Sequence, residues 1–114
     1  MRTKSFLALA CLGLALSTTA ASADTLAAKE LRALAPGRYN VDIMGGMISM
    51  IVTLYPNGRI AGVAKGQKDS GTWQVRGTQM CIAWSKWLGG SNHCSALDDQ
   101  GDKLRGSSFT IKHI

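Results

Sequence analysis

From Gly37 onward, apolar and polar residues alternate with a period of two, and turn-forming residues break the pattern about every ten residues. The breaks fall at Gly45-Gly46, Pro56-Asn57-Gly58, 66–70, Arg76-Gly77, 89–92, 98–102 and Gly106-Ser107. Short runs of this kind between Gly, Asn, Asp and Pro clusters predict an antiparallel meander. The first hairpin is readable residue by residue. A two-residue Gly45-Gly46 turn sets Met44 against Met47, Ile43 against Ile48, Asp42 against Ser49, Val41 against Met50 and Tyr39 against Val52. Tyr39, Val41, Ile43, Ile48, Met50, Val52 and Leu54 then share the core face, while Arg38, Asn40, Asp42, Met44, Met47, Ser49 and Thr53 share the other. Pro56-Asn57-Gly58 turns the chain into a strand over 59–64. Further strands are expected over 71–76, 80–84, 93–97, 103–105 and 109–113.

Ahead of the meander, Asp24-Thr25 reads as a helix cap and Leu26, Ala27, Leu31 and Leu34 as one apolar stripe, ended by Pro36-Gly37. The spacing predicts a short amphipathic helix over 25–34, too short to stand without packing on the sheet. The fold class is therefore mainly β, a small antiparallel meander of about eight strands with one short N-terminal helix. Eight short strands on one small core favour a closed or nearly closed barrel with the helix plugging an end or a side. An open, strongly coiled sheet is the alternative.

The first 23 residues follow a different pattern. Arg2 and Lys4 form a basic start, 6–16 an apolar stretch and Ala21-Ser22-Ala23 a small-residue cleavage site, as in an export signal. The expected division is 1–23 signal peptide and 24–114 a single domain, periplasmic or secreted. The apolar stretch is about half the length a bilayer span needs, and no transmembrane segment is expected in the remainder. Removing Arg2 and Lys4 lowers the formal charge from +6 to +4. A hydrophobic content of 46% excludes a disordered chain.

Of the three cysteines, Cys11 leaves with the signal. Cys81 and Cys94 remain as an even pair in a compartment where disulfides persist, and they are expected to bond to each other. A Cys-x-x-Cys redox motif is absent, which favours a structural staple over a redox role.

Glu30-Leu31 before Pro36-Gly37, Tyr55-Pro56-Asn57-Gly58-Arg59 with Gly62 following, Asp69-Ser70-Gly71-Thr72-Trp73, and Met80-Cys81-Ile82-Ala83-Trp84 with Cys94 come in that order. Together they resemble a group of small exported proteins of alphaproteobacteria. The resemblance covers most of the chain after residue 23 and implies export, a disulfide and a β fold. In size, export, disulfide and meander there is a looser likeness to the small β-barrel periplasmic inhibitors of lysozyme, without their inhibitory-loop motif.

The candidate chemistry is sparse. Met44, Met47 and Met50 are spaced like thioether ligands for Cu(I), but the strand pairing puts Met50 on the core face. Met44 and Met47 would remain as ligands, with His93 or His113 completing a site. A hairpin tip that uses Met as adaptable apolar filler accounts for the same residues, so no cofactor or metal is expected. In 80–84 the alternation turns Trp84 inward, whereas Trp87 lies in a Gly- and Ser-rich loop inside the span from Cys81 to Cys94. Lys86, Trp87, Leu88, Asn92 and His93 form the candidate partner-binding surface, since a staple lowers the entropy cost of ordering a loop on a partner. The competing role for Trp87 is packing over the barrel mouth.

Arg59, Lys65, Lys68 and Arg76 offer basic charge to anionic envelope components, though a solvated face explains them equally well. Export and the lack of a reader motif argue against nucleic acid. Asp98, Asp99 and Asp102 around Gly101 lack EF-hand spacing. His93 and His113 fall in expected strands, and no triad, paired-carboxylate or zinc spacing accompanies them, so the chain does not read as an enzyme. The expected function is a non-enzymatic periplasmic binding protein. It would act either as an inhibitor presenting a rigid loop to lysozyme or another cell-wall hydrolase, or as a barrel holding a small ligand at its mouth. The alternatives are a periplasmic copper-binding protein and an envelope-associated structural protein.

Overall fold

A computed structural model describes residues 24–114; the expected signal segment, 1–23, lies outside the described residues. The elements in chain order are β1 (Asp24–Thr25), α1 (Ala28–Arg32), β2 (Gly37–Ile43), β3 (Ile48–Leu54), β4 (Arg59–Ala64), β5 (Gln67–Arg76), β6 (Gln79–Trp84), β7 (Asn92–Ser95), β8 (Asp98–Asp99), β9 (Leu104–Arg105) and β10 (Phe109–His113). They form one antiparallel sheet in the order β1-β8-β9-β10-β2-β3-β4-β5-β6-β7, curled into a half-barrel. The expected barrel is thus open, and the strands number ten instead of eight.

The β2–β3 hairpin has the expected register, from Ile43 opposite Ile48 to Gly37 opposite Leu54. Its tip differs. Met44, Gly45 and Gly46 all take positive φ (55°, 68° and 94°), and the Met47 N–H reaches the Met44 carbonyl at 3.3 Å. The ladder therefore closes at Ile43 and Ile48, and Met44 and Met47 sit in a four-residue loop instead of forming a cross-strand pair.

The two extra strands are β1 and β8, at one end of the sheet order. Asp24-Thr25, expected to cap the helix, pairs with Asp99 and Asp98, with the Thr25 hydroxyl donating to Asp98 Oδ1 at 2.7 Å. The helix is correspondingly shorter than the 25–34 expected: it starts after Ala27, whose N–H donates to the Glu30 carboxylate at 2.9 Å. The expected strand over 93–97 divides. Asn92–Ser95 pairs with β6 at one end of the sheet, and after Ala96-Leu97 the chain pairs with β9 and β1 at the other. Ala96-Leu97 thus carries the chain from one end of the sheet order to the other. Close by, the Ser107 N–H donates to Ser95 Oγ at 3.1 Å, and this side-chain contact spans the seam between β7 and the β9–β10 turn.

The antiparallel order places four connections at one end: β2–β3, β4–β5, β6–β7 and β9–β10. The opposite end is packed. Leu26, Leu31, Leu54, Ile60, Trp73, Met80 and Leu97 are buried there, with α1 laid across β5 and β6. Leu31 is 0% exposed, and burying one such side chain contributes about 2 kcal/mol, so tertiary contact holds a five-residue helix that would not persist alone. Trp73 closes this end with its indole N–H donated to the Tyr55 carbonyl at 2.9 Å. Among the described residues no helix is long and apolar enough to cross a membrane.

Candidate functional site

The concave face of the sheet encloses a cavity of about 650 Å3, within the range of small-molecule sites. Period-two alternation builds its wall. Tyr39, Val41 and Ile43 from β2 face Val52, Met50 and Ile48 from β3, and Met80, Ile82 and Trp84 from β6 share the same side with Phe109 and Ile111 from β10. Leu34, Leu54 and Leu97 lie at the packed end. The expected core face of the first hairpin is therefore present in full, as one wall of a cavity whose outer part stays only half-buried at Ile43, Ile48 and Met50.

Polar groups are few and lie at the edges. The Tyr39 hydroxyl donates to the Leu34 carbonyl, its ring meets His113 edge-on at 5.2 Å, and burial pushes its phenol pKa up. That hydroxyl is already committed. His93, Ser95, Ser107 and Ser108 line the cavity along the seam, where His93 Nε2 lies 3.0 Å from Ser91 Oγ. The interior is thus apolar and the hydrogen-bonding groups gather at one rim.

The β6–β7 loop forms the lip. The Trp87 ring tilts onto Trp84, with centroids 4.8 Å apart, and is half-buried over β4. Gly62 makes room for it: a Cβ there would stand 2.7 Å from the Trp87 ring and 2.8 Å from that of Trp84. The carboxylate of Asp69, opposite Gly62 in the ladder, accepts the N–H groups of Lys86 at 2.8 Å and Trp87 at 2.9 Å. Desolvation pulls the Asp69 pKa up, but the N–H groups of Trp87, Lys86 and Ser70, with the Lys86 ammonium, outweigh it and hold the carboxyl below its ordinary value. A depressed folded-state pKa contributes anchoring that is complete above the ordinary carboxylate value and lost as pH falls through the folded one. Wild-type tryptophan emission should therefore stay constant down to about pH 5 and shift red only below about pH 4. Asp69→Ala should show the red shift at pH 7. An unchanged spectrum in that variant would mean that the ring stack alone holds the lip.

Of the five candidate contact residues, Trp87, Leu88 and His93 line the cavity, whereas Lys86 and Asn92 are exposed outside it. Cys81 and Cys94 face each other across β6 and β7 and are bonded, on the side of the sheet opposite Ile82 and His93. Met44 lines the mouth, Met47 is exposed at the hairpin tip and Met50 belongs to the wall. Among the described residues, no group of three or more His, Cys, Asp or Glu side chains is placed to hold a metal.

The sequence offered a small ligand at the barrel mouth as one of two binding modes, but alternation marks a face as apolar without saying whether that face is filled. Gly62, a residue without a side chain in the middle of an apolar strand, signals the seat of the Trp84 and Trp87 rings and not the cavity itself. The chain matches no known protein family, no curated protein and no solved structure.

Proposed function

We propose that the protein is an exported, non-enzymatic binding protein that holds the acyl chain of a lipid-like molecule in its half-barrel. The observation that carries this reading is the apolar cavity of about 650 Å3, whose polar side chains other than the Tyr39 hydroxyl, already bonded to the Leu34 carbonyl, lie along the seam. An elongated apolar tail would bury itself against Val41, Met50, Val52 and Ile82, with the head left at His93, Ser95 and Ser108. The disulfide and the absence of a membrane-spanning helix among the described residues are compatible with export. The likeness to small exported alphaproteobacterial proteins supports the same location.

The test is a titration with dansyl-undecanoic acid. Its emission should rise and shift blue with saturation near about 1 μM, and Trp84 and Trp87 should transfer energy to it. Met50→Trp, which places a larger side chain inside the wall, should weaken binding by about tenfold or more while circular dichroism stays unchanged. No saturable signal would overturn the reading. Inhibition of lysozyme by the probe-free protein would instead favour the inhibitor reading, with the loop at Lys86, Trp87 and Leu88 as its contact.

A further inference from the structure

The open end of the half-barrel carries a second pattern. Of the four large apolar side chains most exposed among the described residues, Met47 at 76%, Leu88 at 61% and Met44 at 57% sit on loops at this end, and Ile114 at 57% is the C-terminal residue beside Arg38. Met44 and Met47 come from the β2–β3 tip and Leu88 from the β6–β7 loop, so two separate connections present them around one mouth. Val63, exposed near the end of β4, lies directly opposite Lys68 on β5, and Lys65 occupies the tip between those strands. The acids nearby are engaged locally: Asp69 holds the lip through two N–H groups, and Asp42 accepts from the Ser49 hydroxyl. Both carboxylates keep their charge, so Lys65, Lys68 and Lys86 outnumber Asp42 and Asp69 by one and leave this rim net positive beside exposed apolar groups.

Exposed apolar tips flanked by lysine are what an anionic bilayer surface recognises. The apolar groups enter the headgroup boundary and the ammonium groups meet lipid phosphates. We infer that this end of the half-barrel docks on an anionic phospholipid surface, with Met44, Met47 and Leu88 inserted and Lys65 and Lys68 against the headgroups. The orientation brings the cavity mouth to the membrane, where an acyl chain can pass between bilayer and cavity without crossing water. This docking role rests on the acyl-chain reading above. The backbone supports such a tip: Met44 and Leu88 both take left-handed conformations, at φ 55° and 56°, within turns that hold their side chains at the rim.

The test is flotation of the protein as recovered from cells with vesicles of phosphatidylcholine, alone or mixed with phosphatidylglycerol, alongside the dansyl-undecanoic acid titration in vesicle-free buffer. The expected result is flotation with the anionic vesicles only. Met47→Ser/Leu88→Ser should reduce the bound fraction about tenfold or more, and Lys65→Gln/Lys68→Gln to a similar degree. Both double variants should keep the wild-type melting profile, and Lys65→Gln/Lys68→Gln, whose residues lie outside the cavity lining, should also keep the wild-type probe affinity. Failure to float with anionic vesicles, or flotation unchanged in both variants, would overturn the docking surface. So would a dimer in sedimentation that Met47→Ser/Leu88→Ser converts to a monomer, since the apolar tips would then cover a second copy. Probe binding without flotation overturns docking alone. Flotation without probe binding supports docking and overturns the cavity reading.

Discussion

Gly71→Ala is expected to destabilise the fold by about 3 kcal/mol or more, lowering the melting temperature by about 12 °C or more. Gly71 pairs with Trp84 across β5 and β6, and a Cβ there would stand 2.0 Å from the Ala83 carbonyl oxygen and 2.9 Å from Trp84 Cα. Both obstacles are backbone, so no rotamer change relieves them and the two strands must part. Parting them moves Trp84, which the Trp87 lip stacks upon, so the cavity mouth should be lost together with stability. Gly66→Ala is the control. That glycine, unlike Gly71, has a left-handed conformation, at φ +76°, but nothing lies within 4 Å of its Cβ position, so alanine should cost only about 1 kcal/mol of backbone strain. Thermal unfolding followed by tryptophan emission separates the two. Equal losses would mean that the β5–β6 ladder yields at Gly71 and that close approach is not what requires glycine there.

Several parts of this architecture were legible because the local signal and the tertiary answer agree. Gly45-Gly46 with flanking alternation determined the β2–β3 register, since a one-residue slip would turn every core side chain to solvent. The strands over 59–64 and 109–113 were bounded by strong turn residues on at least one side, and the structure has them at those limits. The misreadings arose where one residue type serves two structures. Asp24-Thr25 has helix-cap chemistry, yet it pairs with Asp98-Asp99 once the chain brings that segment alongside. Ser95-Ala96-Leu97 contains no Gly, Pro or Asn to announce a break, so a continuous strand was expected. The switch between the two ends of the sheet is imposed by burial of Leu97 and by its carbonyl accepting the Leu26 N–H at 2.8 Å. Trp87 is the reverse case. Its loop composition pointed to the surface, with packing over the mouth as the competing role, and the space left by Gly62 and the anchor at Asp69 draw the ring inward to a half-buried position in keeping with the second.

That same seam makes the disulfide the second point of largest expected effect. β7 has four residues, its ladder partner is β6, and its other side meets the Ser107 N–H through Ser95 Oγ. The bond between Cys81 and Cys94, 13 positions apart, limits the unfolded chain and holds this edge strand in the folded one. Replacing both residues by alanine should cost about 3 kcal/mol in the chain-entropy account and lower the melting temperature by about 12 °C or more. The loss should also be local before it is global. Amide exchange should accelerate at 92–95 while β2 and β3 keep their protection, because those strands are paired on both sides along most of their length. His93 and Ser95 line the cavity along β7, so dansyl-undecanoic acid should bind about tenfold more weakly even where the variant is fully folded. Uniform acceleration of exchange across β2, β3 and β7 would show instead that the half-barrel opens as one unit and that the staple acts only on the unfolded chain.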